Sequence, residues 1–194
     1  MSLLIRNVRA IDPASGLDGL RNILLDDGRI TAIAEASAGF TANQEIDASG
    51  LWAFPGGVDL AAWLREPGLD HKATLKSETY AAAASGITTL CYQPEPGVNF
   101  DSAAQVKLID DLNRQAGFAR VAVLGNLTQG LKGEQLSNMG SLKKAGCVAV
   151  TNGWQPCKSL QTLRRAMEYA ATHELTVFVY PLEHALAAGG YMHE

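Results

Sequence analysis

Short alternations of apolar and polar positions fill the first 54 residues, a pattern typical of β-strands with one buried face. In LLIRNVRAI, the candidates for the buried side are Leu4, Val8 and Ile11. Two apolar runs in NILLDDGRITAIA flank Asp27 and Gly28. Both of these residues tolerate positive φ, so the sequence predicts a β-hairpin there. QEIDASGLWAFPG adds another short strand and a turn.

From about residue 52, continuous apolar runs alternate with helical patterns. Continuous runs of strand length are expected of parallel strands that are covered on both faces. The strand candidates are WAFPGGVDLA, GITTLCYQP, ARVAVLGNL, GCVAVTNG and LTVFVYP. The helical patterns are KATLKSETYAAAASG, SAAQVKLIDDLNRQAG, GEQLSNMGSLKKAG and SLQTLRRAMEYAATHE. Ser102 and Ser159 are predicted to be the N-caps of the second and fourth helices.

This order of strands and helices predicts an α/β protein with a parallel sheet, which is either open or part of a barrel. We predict a small β-sandwich segment over residues 1–54 and a partial (β/α) barrel over residues 55–194. Five strands do not close a (β/α)8 barrel, so the barrel alternative corresponds to its first half. A bare strand edge and an uncovered core then predict association with further chain, with another copy or with a partner.

Composition excludes several classes of function. The chain is 47% hydrophobic and 19% charged, with a formal net charge of −4. With no basic cluster, these values argue against a nucleic-acid partner. Neither a membrane-spanning run nor a signal-peptide pattern is evident, so we expect a cytoplasmic protein with no membrane association. The widely spaced Cys91, Cys147 and Cys157 fit unpaired thiols in a reducing compartment.

In a barrel of this kind the chemistry lies at the C-terminal ends of the strands. The segment FPGGVDLAAWLREPGLDHKATLKSETYAAAASGITTLCYQPEPG contains the first two of these ends. It resembles the start of a dihydroorotase of the amidohydrolase superfamily, above all in the string Leu-Arg-Glu-Pro-Gly at 64–68. The N-terminal strands also resemble the opening β-domain of that family. The resemblance spans nearly the whole chain and implies the first half of a (β/α)8 TIM-type amidohydrolase barrel.

The metal ligands of that family are absent from the matching positions. Its paired histidines correspond to Ala61 and Trp63, whose side chains offer zinc no lone pair. The acidic ligand after the fourth strand falls on Asn152 and Gly153. The histidine after the fifth strand falls on Tyr180 or, with a shift of one residue, on Pro181. The resemblance therefore implies degenerate ligand positions, no catalytic residue, and no metal or other cofactor.

Arg65 is the one motif element that survives at this face. In the family this arginine binds the substrate carboxylate, so Arg65 is predicted to be a vestigial substrate-binding residue. The alternative is a structural salt bridge to a nearby carboxylate, such as Glu66 or Glu95. Glu183 and His184 are candidates for an improvised site after the fifth strand.

Three classes of function remain open. The first is a non-catalytic dihydroorotase-like subunit of pyrimidine biosynthesis, which assembles with the aspartate carbamoyltransferase catalytic chain and forms a homo-oligomer. The resemblance implies this class, because the family includes such inactive homologues. The second is an active zinc-dependent dihydroorotase or related cyclic amidohydrolase with an unconventional metal site. The third is an unrelated α/β binding protein with an open sheet. The missing ligands favour the first class, and the Leu-Arg-Glu-Pro-Gly string argues against the third.

Overall fold

The computed structural model describes residues 1–37, 39–182 and 190, so the candidates Glu183 and His184 lie outside the described residues. The chain divides into two compact units, Met1–Gly56 and Gly57–Glu194. None of the helices in these described ranges combines the length and the apolar character needed to cross a membrane.

The first unit contains one five-stranded sheet. Its strands are β1 (Ser2–Asp12), β2 (Leu17–Asp26), β3 (Arg29–Ala34), β4 (Gln44–Asp47) and β5 (Trp52–Ala53). β2 pairs antiparallel with β1 and β3, whereas β4 and β5 both pair parallel with β1. Asp27 and Gly28 have φ angles of 47° and 73°, and they join β2 to β3. The predicted hairpin is therefore confirmed.

β1 is irregular at Asn7, which has a φ of 58°, and its pairing with β2 skips between Ile5 and Val8. Leu4 and Val8 are buried, as the alternation predicts. Ile11 is only half-buried, and that part of the prediction was wrong because Ala10 takes the inward position beyond the irregularity.

The second unit contains a five-stranded parallel sheet that curls as half of a barrel. Its strands are β6 (Gly57–Ala62), β7 (Ile87–Tyr92), β8 (Arg120–Asn126), β9 (Ala149–Thr151) and β10 (Thr176–Phe178). They lie in sequence order across the sheet, from β6 at one side to β10 at the other. This order brings all five strand ends to one face, where the candidate site residues follow.

The predicted strand WAFPGGVDLA is divided between the two sheets. Trp52–Ala53 pairs with β1, with Trp52 opposite Arg9, and β6 begins only at Gly57. The prediction of one continuous strand was wrong because hydrophobicity reports burial and not the sheet in which a residue pairs.

Helices follow four of the strands of the second unit: α1 (Leu75–Ala84), α2 (Ala103–Ala116), α3 (Met139–Ala145) and α4 (Leu160–Thr172). Ser102 and Ser159 accept hydrogen bonds from backbone N–H groups in the first turns of α2 and α4, which confirms both predicted N-caps. α3 is shorter than its pattern, because Asn138 caps it and the preceding residues form a loop.

The core of the second unit lies between the sheet and its helices. The largest cluster joins side chains from β6, β7 and β8 with side chains from α1, α2 and α3. Within it, the rings of Tyr92 and Phe100 meet edge to face with centroids 4.8 Å apart. Tyr92 ends β7, so this packing fixes the strand end from which the next site loop departs.

Candidate functional site

Three aromatic rings from three different loops meet at the strand ends of the second unit. Trp63 follows β6 and stacks on Trp154, which follows β9, with centroids 5.6 Å apart and ring planes inclined by 20°. Tyr180, after β10, lies against the other end of the row, 4.5 Å from Trp154 between centroids. We call Trp63, Trp154 and Tyr180 the aromatic row. Two of its members stand at predicted ligand positions.

Trp154 was not predicted as a site residue. It lies in the loop TNGWQP, two residues after Asn152, and is about half exposed. A large aromatic residue just after a strand end was the only available signal. The sequence alone does not show that this ring bridges Trp63 and Tyr180, which are more than a hundred residues apart.

Ala61 lies within β6 and offers the site only a methyl group. Its backbone N–H donates to Oδ1 of Asp59 at 2.9 Å. Asp59 therefore holds local backbone, and β6 pairs irregularly with β7 between Asp59 and Ala62.

Asn152 is buried and belongs to a hydrogen-bond network beneath the site. Its Oδ1 accepts from the Oγ1 of Thr128 at 2.7 Å and from the backbone N–H of Thr128 at 3.2 Å. The Thr128 Oγ1 in turn accepts from the N–H of Gly133 at 2.9 Å. The amide oxygen of Asn152 is thus committed to joining the loops after β8 and β9.

Gly153 has a φ of 57°, and a Cβ atom at this position would lie 2.9 Å from the carbonyl oxygen of Pro94. This backbone conformation and the close approach both oppose a side chain here. An acidic ligand at position 153 would therefore require the loops after β7 and β9 to shift.

Arg65 forms an ion pair with Glu95, through Nη1 and Oε2. The neighbouring carboxylate of Glu66 faces elsewhere, and its Oε2 accepts from the backbone N–H of Leu75 at the start of α1, at 2.6 Å. Of the two acceptors proposed for Arg65 from the sequence, the structure pairs it with Glu95.

The predicted ligand positions do not fit a zinc ion. The side chains at Ala61, Trp63 and Gly153 offer no lone pair to a metal. The amide oxygen of Asn152 is buried and already accepts two hydrogen bonds from Thr128. Tyr180 packs against an aromatic ring. Across residues 1–37, 39–182 and 190, no three His, Cys, Asp or Glu side chains converge as a metal site would require.

A pocket of about 240 Å³ opens beside the aromatic row, between the loop after β9, the start of α4 and the end of β10. Asn152, Gly153 and Tyr180 line part of it, together with the thiol-bearing Cys157. Burial raises the pKa of the Cys157 thiol, so at neutral pH it is protonated and a poor nucleophile.

Burial also raises the pKa of Tyr92, and the negative charge of Glu95 acts in the same direction. The Tyr92 hydroxyl donates to the carbonyl oxygen of Glu66 at 3.0 Å. This phenol is therefore a fixed hydrogen-bond donor that supports the loop of Arg65, and it does not serve as a base.

Comparison with known proteins gives one consistent family. A profile described as "Dihydro-orotase-like" matches residues 50–194. A "Dihydroorotase-like protein" of Pseudomonas aeruginosa is 48% identical over 194 residues, which are 100% of this chain and 46% of the relative. A "Dihydroorotase" of Anaeromyxobacter sp. is 38% identical over 192 residues, covering 99% of this chain and 44% of the relative. The chain thus spans slightly under half the length of these relatives.

Among solved structures, the L-hydantoinase (dihydropyrimidinase) from Arthrobacter aurescens is similar, with a TM-score of 0.77 and 21% sequence identity. The similarity covers 92% of this chain and 40% of that protein. It establishes a shared fold and confirms the predicted class, a small β unit followed by part of a TIM-type barrel.

Proposed function

The chain belongs to the dihydroorotase-like family, and we propose that it serves there as a non-catalytic subunit that supports assembly of aspartate carbamoyltransferase in pyrimidine biosynthesis. The observation that carries the proposal is the aromatic row. Trp63 and Tyr180 pack through Trp154 at two positions where the family resemblance implies histidine ligands.

Hydrolysis of a cyclic amide by this family depends, as the resemblance implies, on a metal that activates water. Such a metal needs imidazole, carboxylate or thiolate donors with free lone pairs. At the matched positions, Ala61 has only a methyl group, Trp63 an indole and Gly153 no side chain. The amide oxygen of Asn152 already accepts hydrogen bonds, and the phenol of Tyr180 packs on an indole. These groups support a role for the protein that does not require this metal site.

The assembly role is supported by the surface at the same strand ends. Trp154, Val179 and Tyr180 are each about half exposed there. Exposed apolar side chains that cluster at one face favour a protein contact over a solvated surface. The proposed contacts are with the aspartate carbamoyltransferase catalytic chain and with further copies of the protein itself.

The first test measures metal content and turnover together. We expect the purified whole protein to contain no stoichiometric zinc and neither to hydrolyse dihydroorotate nor to cyclise carbamoyl-aspartate. The double variant Ala61→His/Trp63→His is the matched control, because it places imidazoles at the two positions that the family resemblance matches to histidines and should bind zinc more tightly than the wild type. Stoichiometric zinc in the wild type, with turnover that is lost on chelation, would establish the alternative of an active hydrolase.

A second test addresses assembly by sedimentation velocity of the protein alone, the transcarbamoylase catalytic chain alone, and their mixture. We expect a species in the mixture that is larger than either component, with higher or more heat-resistant transcarbamoylase activity. Trp154→Ala should weaken this species. Tyr80→Ala, which removes an exposed aromatic residue from α1 away from the strand ends, should leave it intact. Independent sedimentation of the two proteins would refute the assembly role.

A further inference from the structure

The backbone that carries Arg65 is held in an uncommon conformation. Arg65 has a φ of 66°, in the left-handed region that residues other than glycine rarely occupy. Two hydrogen bonds of 2.8 Å fix it, from the N–H of Glu66 to the carbonyl of Leu64 and from the N–H of Leu69 to the carbonyl of Arg65. Such conformations persist where the surrounding structure enforces them, and they concentrate at binding sites.

The residue that follows Arg65 ties the loop to the core. Glu66 accepts from the N–H of Leu75 through its side chain and from the Tyr92 hydroxyl through its carbonyl. Tyr92 is fully buried, so one anchor of this loop is a rigid core residue. The loop that presents the guanidinium of Arg65 is therefore anchored through Glu66 to α1 and to β7.

Glu95 is held just as firmly on the opposing loop. Its N–H donates to the carbonyl of Val98 at 3.0 Å, and the N–H of Val98 donates back at 2.8 Å. The two loops also pack closely, because a Cβ atom on Gly68 would lie only 2.8 Å from the carbonyl oxygen of Gly97. The positions of the Arg65 and Glu95 backbones are thus fixed relative to each other.

The ion pair itself differs from an ordinary surface pair. The Arg65 side chain is 33% exposed and that of Glu95 only 12%. The second carboxylate oxygen, Oε1 of Glu95, is buried and has no hydrogen-bond partner among the described residues. The carboxylate therefore occupies a partly enclosed position in which Arg65 is the charged group that compensates it.

We infer that Glu95 is an internal ligand of Arg65 and closes a preorganised carboxylate site to anions from solution. The guanidinium is a donor suited to carboxylates, and its loop is ordered before any ligand arrives. A free carboxylate must displace Glu95, and its apparent affinity is lowered by the fraction of molecules in which the pair is open. Glu95 thus determines what the site rejects, and this inference does not depend on the proposed role in assembly.

Removal of the Glu95 carboxylate should open the site. The probe is succinate, titrated by calorimetry into the whole protein at low ionic strength, because salt screens the attraction. We expect no resolved binding to the wild type. Glu95→Ala should bind succinate with an affinity at least about tenfold above the weakest affinity that the titration resolves. The double variant Arg65→Ala/Glu95→Ala should lose this gain, because the guanidinium is the group that binds the probe.

Two controls separate this effect from net charge and from misfolding. Glu134→Ala removes one exposed negative charge of the same unit that forms no ion pair with Arg65, so it should bind succinate no better than the wild type. Glu95→Gln keeps the shape of the side chain and should also bind succinate more tightly than the wild type. This variant tests the role of the Glu95 carboxylate if Glu95→Ala does not fold. Equal binding by the wild type and the folded Glu95 variants, or a gain that survives loss of Arg65, would overturn the inference.

Discussion

Asn152→Ala provides a sharp test of whether this position now serves the fold. Asn152 stands where the family resemblance implies an acidic metal ligand, yet its Oδ1 accepts two hydrogen bonds from Thr128, at 2.7 and 3.2 Å. Both residues are almost completely buried. Alanine at position 152 would leave the N–H and the hydroxyl of Thr128 without this acceptor in a region that water does not reach.

The expected loss of stability follows from these contacts. Each neutral hydrogen bond contributes about 1 kcal/mol net, and a buried donor left unpaired costs about 1–3 kcal/mol. Part of this loss is offset, since the Nδ2 of Asn152 is itself buried without a partner among the described residues. We expect Asn152→Ala to lower the free energy of unfolding by about 2 kcal/mol, or the melting temperature by about 4–8 °C.

The assay is urea unfolding followed by far-UV circular dichroism, with Thr128→Val and the double variant completing a thermodynamic cycle. Thr128→Val removes the hydroxyl that donates to Asn152 and accepts from Gly133. The coupling energy between positions 128 and 152 should be about 1 kcal/mol. A loss below about 0.5 kcal/mol for Asn152→Ala, or no coupling, would refute a structural role for this amide.

A pair of glycine substitutions tests the loops, and the pH dependence of stability tests the core. Gly133→Ala should lower the free energy of unfolding by about 3 kcal/mol or more, because φ is 74° and the new Cβ atom would lie 2.3 Å from the carbonyl oxygen of Pro156. Gly86 has a φ of 81° but open space around it, so Gly86→Ala should lower the free energy of unfolding by only about 1 kcal/mol. If urea unfolding gives similar losses for the two glycine variants, the contact between position 133 and the Pro156 carbonyl does not matter for stability. Burial raises the pKa of Cys147 to about 12 from an ordinary value of 9.0. Above pH 9 the unfolded chain releases this proton and the folded chain keeps it, so stability falls as pH rises, by up to about 1.4 kcal/mol per pH unit. Cys147→Ala should show a correspondingly shallower decline above pH 9, and parallel curves would contradict the assignment.

Local sequence signals were sufficient for the elements and for much of their order. The capping serines Ser102 and Ser159 and the Asp27–Gly28 turn act through neighbouring backbone, so their effect is legible over a few residues. The start of α3 could not be predicted in this way, because the segment before it pairs across a loop, with Thr128 bridged to Leu136. Pairings that depend on a distant partner leave no periodic trace in the chain.

The candidate site divides in the same way. The family resemblance implied a role for Arg65 and a set of ligand positions that stay a prediction, and the sequence left two possible partners for Arg65. The structure selects Glu95 because the turn from Glu95 to Val98 lies against the loop that contains Gly68. The aromatic row joins residues from three strand ends, so only the parallel order of the sheet brings it together.

The Leu-Arg-Glu-Pro-Gly string has structural contacts of its own, apart from positions 61 and 63. Leu64 is buried in the core, Glu66 holds the start of α1 and receives the Tyr92 hydroxyl, and Gly68 admits the Gly97 carbonyl. None of these contacts involves position 61 or 63. We therefore expect substitutions at positions 61 and 63 to leave the loop intact, and changes within the string to disturb the packing of α1 and β7.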